Sequence, residues 1–169
     1  MFREIDPKEL DGNVFQRIGE QWMLITAGDR SGCNTMTASW GGLGVLWGAP
    51  VATAYIRPQR YTREFVERTH RFSLAFFGPE YRQQLALCGS KSGREVDKVE
   101  ACGFTVEYGA GDTPYFAQAE LVLICEVQYA DKLKQENFLD KAADEKWYAD
   151  KDWHTMYIGR IVQVLQKGT

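Results

Sequence analysis

Hydrophobic and polar residues alternate along much of this chain, and a period of two is typical of strands with one buried face. Segments with this pattern lie at positions 22–27, 34–46, 51–57, 72–77, 104–108, 115–117, 121–130 and 155–166. Helical patterns cluster in the middle of the chain, over residues 62–68, 78–88 and 92–101. Because strands dominate around this helical region, we expect a mainly β fold, an antiparallel barrel with a few helices inserted between strands.

Cap residues set the predicted ends of the helices. Thr62 is the predicted N-cap of the first helix, because its hydroxyl can accept a hydrogen bond from a free backbone N–H group. Gly89 fits the C-terminal cap of the second helix, a position that favours glycine. Ser92 and Glu95 have the spacing of a capping box, which predicts that the third helix begins there.

Two segments depart from the regular pattern. The long predicted strand 34–46 contains glycines at positions 41, 42 and 44, which indicate a bulge or a close approach of another backbone. Residues 137–152 are polar and charged, but they include Trp147 and Tyr148. This segment is interpreted either as a surface excursion with helical structure or as a lid.

Composition narrows the class of protein. A chain of 169 residues is long enough for one core, so we expect a single domain over residues 1–169. The net charge of −3 gives no support for a nucleic-acid partner. No apolar run is long enough to span a bilayer, and the first ten residues lack the apolar region of a signal peptide. We therefore expect no membrane association and a cytoplasmic protein.

The cysteines do not predict a metal site. Cys33, Cys88, Cys102 and Cys125 include no pair with metal-ligand spacing, and the chain has two histidines. In a reducing compartment these cysteines are expected to be free thiols.

The segment from Asn34 to Thr62 carries the most informative chemistry. Its first strand is small and rich in hydroxyl groups, so a flat ligand can lie against the backbone. Arg57, Arg60 and Thr62 follow where a strand gives way to a helix, and two guanidinium groups there can converge on a phosphate. A flat ring with a phosphate tail is the shape of FMN. The alternative is an ordinary alternating strand followed by a solvated arginine pair.

A second group of donors lies between the second and third predicted helices. Ser90, Lys91 and Ser92 precede Gly93, which allows the backbone N–H groups to form an anion-binding nest. The order of residues is not that of a phosphate-binding P-loop. The alternative is a capped surface helix, which the capping box explains without any ligand.

Three stretches in this order resemble a known family. NTMTASWGG, AYIRPQRYT and GSKSGREVDK are similar to segments of the flavin reductase-like, flavoredoxin-type family of FMN-binding split barrels, and the resemblance runs from about Gly12 to Leu165. It implies an antiparallel split β-barrel that binds FMN and forms a homodimer.

The resemblance also implies roles for individual residues. The ring would lie on the strand formed by Met36, Thr37, Ala38, Ser39 and Trp40. The phosphate would bind Arg57, Arg60 and Thr62, with Ser90, Lys91 and Ser92 near the flavin. His154 would face the flavin and assist nicotinamide binding or proton transfer, since an ordinary histidine titrates near pH 7. The alternative for His154 is a surface residue at a strand edge.

We therefore expect an FMN-dependent oxidoreductase, in which a hydride passes from NAD(P)H to flavin N5 and electrons then pass to a second acceptor. The chain lacks the G-x-G-x-x-G fingerprint of a dinucleotide-binding domain. This absence does not exclude NAD(P)H, because family members that act as reductases bind it without such a domain. Gly48-Ala49-Pro50 stands where flavin reductases usually carry paired prolines. Together with the stretch IRPQRYT, this departure implies that the chain is nearer the flavoredoxin-like branch. The alternative is accordingly an FMN electron carrier that docks to a redox protein partner. A third interpretation, a barrel that has lost flavin, is disfavoured by the intact arginine turn.

Overall fold

The computed structural model describes residues 1–168, which form a mainly β fold. The strands are β1 Phe2–Ile5, β2 Met23–Asp29, β3 Gly32–Ala38, β4 Gly41–Leu46, β5 Ala49–Ile56, β6 Arg71–Phe76, β7 Val106–Gly109, β8 Thr113–Phe116, β9 Leu121–Lys132 and β10 Thr155–Lys167. The α-helices are α1 Val14–Gln16, α2 Thr62–Thr69, α3 Arg82–Ser90, α4 Lys98–Cys102 and α5 Lys141–Trp147. A π-helical turn, Arg17–Gln21, follows α1, and short 3₁₀ turns cover Pro7–Glu9, Pro79–Tyr81, Ala110–Asp112 and Gln135–Asn137.

Eight strands form one antiparallel sheet in the order β3-β2-β6-β9-β10-β5-β4, with β1 also paired to β10. Strand β10 makes the split, because its first half pairs with β5 and its second half pairs with β1. The sheet does not close, since β3 and β4 lie at its two ends although they follow each other in the chain. This arrangement is the open, split β-barrel expected from the sequence.

The sheet separates two hydrophobic clusters, because successive side chains of a strand point to opposite faces. One cluster inside the barrel includes Met23, Ile25, Phe72, Leu74, Leu123 and Cys125. The other lies between the sheet and the α3 region and includes Leu24, Ala75, Leu85, Val122 and Ile124. Strands β2 and β6 and the first half of β9 are therefore buried on both faces.

The predicted strand 34–46 is two strands, so that expectation was wrong. Strand β3 ends at Ala38, and β4 begins at Gly41 and pairs with β5 instead of β2. At Gly41 a side chain would meet the carbonyl oxygen of Thr53 at 2.9 Å, so the close backbone approach indicated by the glycines is confirmed here. The break places Ser39 and Trp40 in a connection between the two ends of the sheet.

The helix ends also differ from the prediction. Thr62 is the first residue of α2, not its N-cap, because its hydroxyl accepts a hydrogen bond from Asn34. Gly89 lies inside α3, which ends at Ser90. No helix begins at Ser92; α4 begins at Lys98, where the Asp97 carboxylate accepts hydrogen bonds from two backbone N–H groups. The segment between α3 and α4 is therefore a loop, which leaves its polar groups available.

The first strand and the helical turns after it were not predicted. Strand β1 is short and half exposed, so its hydrophobic pattern is weak, and its pairing with β10 joins the two termini of the chain. Asn13 caps α1 by accepting hydrogen bonds from two backbone N–H groups. Within residues 1–168 there is no helix with the length and apolar character needed to cross a bilayer.

Candidate functional site

A cavity of about 320 Å³ opens at the end of β3, between the end of β5 and the start of β10. Its lining combines small, aromatic and charged residues from four parts of the chain: Met36, Thr37, Ala38, Ser39, Trp40, Tyr55, Arg57, Arg60, Gly89, Trp147 and His154. The structure thus brings together all five residues predicted to hold a ring with both predicted arginines and the predicted histidine. We call this space the ring cavity.

Small residues allow a ligand to approach the floor of the ring cavity. The Thr37 hydroxyl donates a hydrogen bond to the Leu85 carbonyl, which fixes β3 against α3. Gly89 lies directly against this contact, since a side chain there would approach the Thr37 Cβ to 3.3 Å. Beyond it, the short side chains of Ala38 and Ser39 line the cavity at the end of β3.

Aromatic rings form the walls of the ring cavity. Trp40 and Trp147 meet edge to face, with their ring centroids 5.0 Å apart. Trp40 also lies 5.3 Å from the His154 ring. Trp147 is the last residue of α5 and lines the cavity, so the polar segment 137–152 reaches the cavity through this side chain. It is partly helical, and its end has the position of a lid.

Arg57 fastens this segment to the barrel. Its guanidinium forms an ion pair with Asp152 at 2.9 Å and donates a hydrogen bond to the Trp147 carbonyl at 3.1 Å. The Gln59 amide donates to the same carboxylate, and this bond, together with Arg57, lowers the pKa of Asp152. Arg57 therefore acts on the position of the segment that carries Trp147.

His154 is buried, not a surface residue at a strand edge. Only 8 % of it is exposed, and its Nδ1 lies 2.7 Å from the Tyr148 hydroxyl. Burial, and then the nearby Arg57 charge, lower the pKa of His154 to about 4. The expectation of a histidine that titrates near pH 7 was therefore wrong. At neutral pH the ring is uncharged and serves as a hydrogen-bond partner at the cavity wall.

A second cavity, of about 180 Å³, continues from the first. Its lining is mostly polar: Asn34, Met36, Gln59, Arg60, Tyr61, Thr62, Ser90, Lys91, Ser92, Gly93 and Lys98. Met36 and Arg60 line both cavities, so the two form one elongated site. The predicted loop of Ser90, Lys91 and Ser92 is thereby joined to the predicted ring strand. We call this second space the anion cavity.

The two predicted arginines do not converge on one point. Arg57 is bound to Asp152, while Arg60 donates to the backbone carbonyls of Gly89, at 3.1 Å, and Cys88, at 3.4 Å. The Pro-containing turn between the two arginines directs them to different parts of the site. Arg60 lines the anion cavity, and within residues 1–168 it forms no ion pair with a carboxylate.

Thr62 and Asn34 complete the wall of the anion cavity. Both are buried, and the Asn34 amide donates to the Thr62 hydroxyl oxygen at 2.9 Å. The hydroxyl proton of Thr62 thus remains free to donate to a ligand. Asn34 stands in the NTMTASWGG stretch, but nothing in its local pattern distinguished it from the residues beside it.

Lys98 is the charged residue of this site that sequence reasoning missed. It is 4 % exposed, and its Nζ donates to the carbonyls of Thr35 at 2.7 Å and Cys88 at 2.9 Å. It lies in the GSKSGREVDK stretch, so proximity to Ser90 and Ser92 was the available signal. Its hydrophilic neighbours, Asp97 and Glu100, are exposed and made it look like a surface lysine.

The sequence model of the flavin reductase like domain matches residues 15–169. A search of curated proteins gives no match.

Solved structures share the fold. The flavoredoxin of Methanosarcina acetivorans is 21 % identical, with a TM-score of 0.68 over 94 % of this chain and 75 % of that one. An FMN-binding protein of Thermus thermophilus, with bound p-hydroxybenzaldehyde, is 21 % identical, with a TM-score of 0.68 over 98 % of this chain and 82 % of that one. The flavoredoxin of Desulfovibrio vulgaris is 20 % identical, with a TM-score of 0.68 over 94 % and 77 % of the two chains.

Proposed function

This chain belongs to the family defined by the flavin reductase like domain, and from that premise we propose that it is an FMN-dependent oxidoreductase. Family membership supports flavin binding and a flavin-related redox role. The identity of the cofactor as FMN, the donor as NAD(P)H and the roles of individual residues are our proposal.

The residues of the elongated site suit FMN. The ring cavity offers a small-residue floor and aromatic walls, which match a flat apolar ring. The anion cavity offers Arg60, Lys98 and the Thr62 hydroxyl, which are donors suited to a phosphate. A buried lysine without a carboxylate partner is unfavourable unless an anion binds near it, so the donor set itself points to a phosphate.

In this proposal each part of the chain has a defined task. Residues Met36–Trp40 hold the ring, and Arg60, Thr62, Ser90, Lys91 and Ser92 hold the phosphate. Bound FMN would supply hydride acceptance from NAD(P)H at N5 and electron delivery to a second acceptor. Arg57 holds Trp147 over the ring, which excludes water. His154 contacts the nicotinamide or the ring as a neutral hydrogen-bond partner.

The position of Trp147 is the observation that carries the choice of an enzyme. It lines the ring cavity and packs against Trp40, so the segment that bears it covers the place where a ring would bind. A covered site favours hydride transfer from a bound substrate, since closure removes water.

The electron carrier remains the second candidate, because the same two tryptophans are partly exposed at the cavity mouth. Trp40 is 39 % exposed and Trp147 is 46 % exposed. An aromatic rim of this kind would also suit docking of a redox protein partner.

Anaerobic spectroscopy distinguishes the two candidates. Protein loaded with FMN and then desalted is mixed with NADH or NADPH, and the flavin absorption is followed. The enzyme predicts that the bands stay with the protein and bleach rapidly with at least one nucleotide. Bands that stay but do not bleach would support the carrier. Loss of flavin on desalting, with no turnover of free FMN, would contradict both.

Replacement of His154 tests its role in the same assay. We expect His154→Ala to slow the bleaching, while the exposed His70→Ala serves as the matched control. An unchanged rate in His154→Ala would remove His154 from the site of hydride transfer.

The homodimer implied by the family is part of the proposal. Strand β4 is one of the unpaired edges of the sheet, and it leads to exposed Val45 and Trp47 at the tip of the hairpin. An exposed apolar edge of this kind is a common site of self-association. Light scattering during size-exclusion chromatography should give twice the chain mass; the mass of a single chain would contradict it.

A further inference from the structure

Two free thiols face each other between helices α3 and α4. Cys88 lies near the end of α3, Cys102 is the last residue of α4, and their Sγ atoms are 3.7 Å apart. The Cys102 thiol donates to the Gln84 carbonyl oxygen at 3.8 Å, which leaves the Cys88 thiol as the donor between the two sulfurs. Each of the two cysteine side chains is thus already directed at the other.

A covalent bond between these sulfurs requires only a small movement. The S–S bond of a disulfide is about 2.05 Å long, so the two atoms must approach each other by about 1.7 Å. Helix α4 is a single short turn, and Gly103 follows it with a φ of +64° and open space where a side chain would begin. A short helix that ends at a glycine can accept a shift of this size without displacement of the sheet.

The two thiols differ in their access to solvent. Cys88 is fully buried, whereas Cys102 is partly exposed. Burial raises the pKa of Cys88 to about 12. Burial also raises the pKa of Cys102, but the hydrogen bond from Cys88 and the charge of Lys98 oppose this effect. A small oxidant should therefore react first at Cys102, with Cys88 beside it as the thiol that completes the reaction.

From this arrangement we infer that Cys88 and Cys102 form a reversible disulfide within the native fold when the protein is exposed to a peroxide. No C-x-x-C spacing marks the pair in the sequence, because the fold brings the two residues together from separate helices. The inference goes beyond the proposed function and does not rest on it, since no flavin takes part in the reaction.

The reaction balances with hydrogen peroxide as the oxidant. The Cys102 thiolate attacks one oxygen of the peroxide, the O–O bond breaks, and the sulfur becomes a sulfenic acid while hydroxide leaves and is protonated to water. The Cys88 thiol then gives up its proton and attacks the Cys102 sulfur, so that the S–S bond forms, the S–O bond breaks and a second water leaves. Two thiols thereby lose two electrons and two protons, and one peroxide is reduced to two molecules of water.

The disulfide would join both ends of the loop that lines the anion cavity. Residues 90–93 lie between the two cysteines, and the Cys88 carbonyl accepts hydrogen bonds from Arg60 and Lys98. The covalent ring would contain the 15 residues from Cys88 to Cys102. Closure of a loop of this length restricts the unfolded chain, so oxidation should raise Tm by about 6–12 °C.

Oxidation of the reduced, desalted protein with hydrogen peroxide tests the inference. The free thiols are counted in denaturant and alkylated, and the protein is digested with trypsin and a glutamate-specific protease. These proteases place Cys88 in the peptide 83–91 and Cys102 in the peptide 101–107, separate from Cys125. We expect the thiol count to fall from four to two, with these two peptides joined, and to return to four with dithiothreitol.

Variants assign the bond to this pair. Cys102→Ser should give no joined peptides and no rise in Tm on oxidation. Cys33→Ser is the matched control, because Cys33 is also partly exposed but lies on β3, and this variant should form the bond and gain stability as the wild type does. Circular dichroism verifies that both variants fold. If Cys102→Ser fails to fold, the peptide map of the wild type alone decides.

Three results would overturn the inference. The first is a thiol count that stays at four after prolonged treatment. The second is a sulfinic acid at Cys102, or oxidation of Cys33 alone, without the joined peptides. The third is a joined pair of peptides with a Tm that does not rise, because such a bond would form only at the expense of the native fold.

Discussion

Acidification should destabilise this protein through His154. The ring is buried against Tyr148 and lies near Arg57, and these surroundings lower its pKa to about 4. In the unfolded chain the same ring has the ordinary pKa of about 6.5. Between these values the unfolded state binds more protons than the folded state. The contribution of His154 to stability is therefore fully present above pH 6.5 and is lost as the pH falls towards 4.

The magnitude can be worked out from the two pKa values. At pH 5 an unfolded histidine is almost fully protonated, whereas His154 in the folded protein is still mostly neutral. The free energy of unfolding should therefore be lower by about 2 kcal/mol at pH 5 than at pH 7. For a domain of this size, a change of about 2 kcal/mol lowers Tm by about 4–8 °C.

The assay is urea unfolding of the wild type and of a variant that lacks the His154 imidazole, each at several values of pH. His154→Asn keeps a group that can bond to Tyr148 but does not titrate, and it leaves all carboxylates in place. The difference between wild type and variant thus isolates His154. We expect this difference in unfolding free energy to change by about 2 kcal/mol between pH 7 and pH 5. A constant difference over this range would refute the burial of an uncharged His154.

Other substitutions test separate parts of the site. Arg60→Met should weaken FMN about 10- to 100-fold with little effect on riboflavin, because Arg60 lines the anion cavity. Arg57→Met should weaken the binding of FMN and riboflavin alike, because Arg57 holds the lid over the ring. Fluorescence quenching titrations give the ratio of the two dissociation constants in each variant. The same ratio in Arg60→Met and Arg57→Met would contradict the assignment of the two arginines to different parts of the site. Gly93→Ala should reduce FMN affinity at least about tenfold, since its Cβ would clash with the buried Asn34 side chain that donates to the wall of the anion cavity. Gly42→Ala is the control, because a Cβ at position 42 meets open space. Similar losses of FMN affinity in both glycine variants would contradict the close contact between Gly93 and Asn34.

Local signals and the family resemblance were sufficient for much of the fold and for most of the residues that line the two cavities. Alternation identified the main strands, because the sheet buries side chains with a period of two. The ring strand Met36–Trp40 was predicted from the family resemblance and from its small residues, and these five residues line one cavity. The loop of Ser90–Ser92 was predicted from its cluster of donors beside Gly93 and from the same resemblance, and its residues line the anion cavity.

Contacts between distant parts of the chain could not be predicted. The pairing of Arg57 with Asp152 joins the end of β5 to the segment before β10, and no local pattern records it. Lys98 resembled a surface lysine because its burial depends on how α4 packs against α3 and β3. The sequence has two possible N-caps within a few residues, Ser92 and Asp97. The helix begins after Asp97, so the capping box at Ser92 predicted the wrong start.

The central claim is that one elongated site holds a flavin ring at one end and its phosphate at the other. A crystal structure of the protein with FMN tests it most directly. We predict that the ring lies on residues 36–40 beneath Trp147, and that the phosphate lies within hydrogen-bond distance of Arg60, Thr62 and Lys98. A flavin whose phosphate lies outside the anion cavity, or whose ring does not contact the end of β3, would contradict the account.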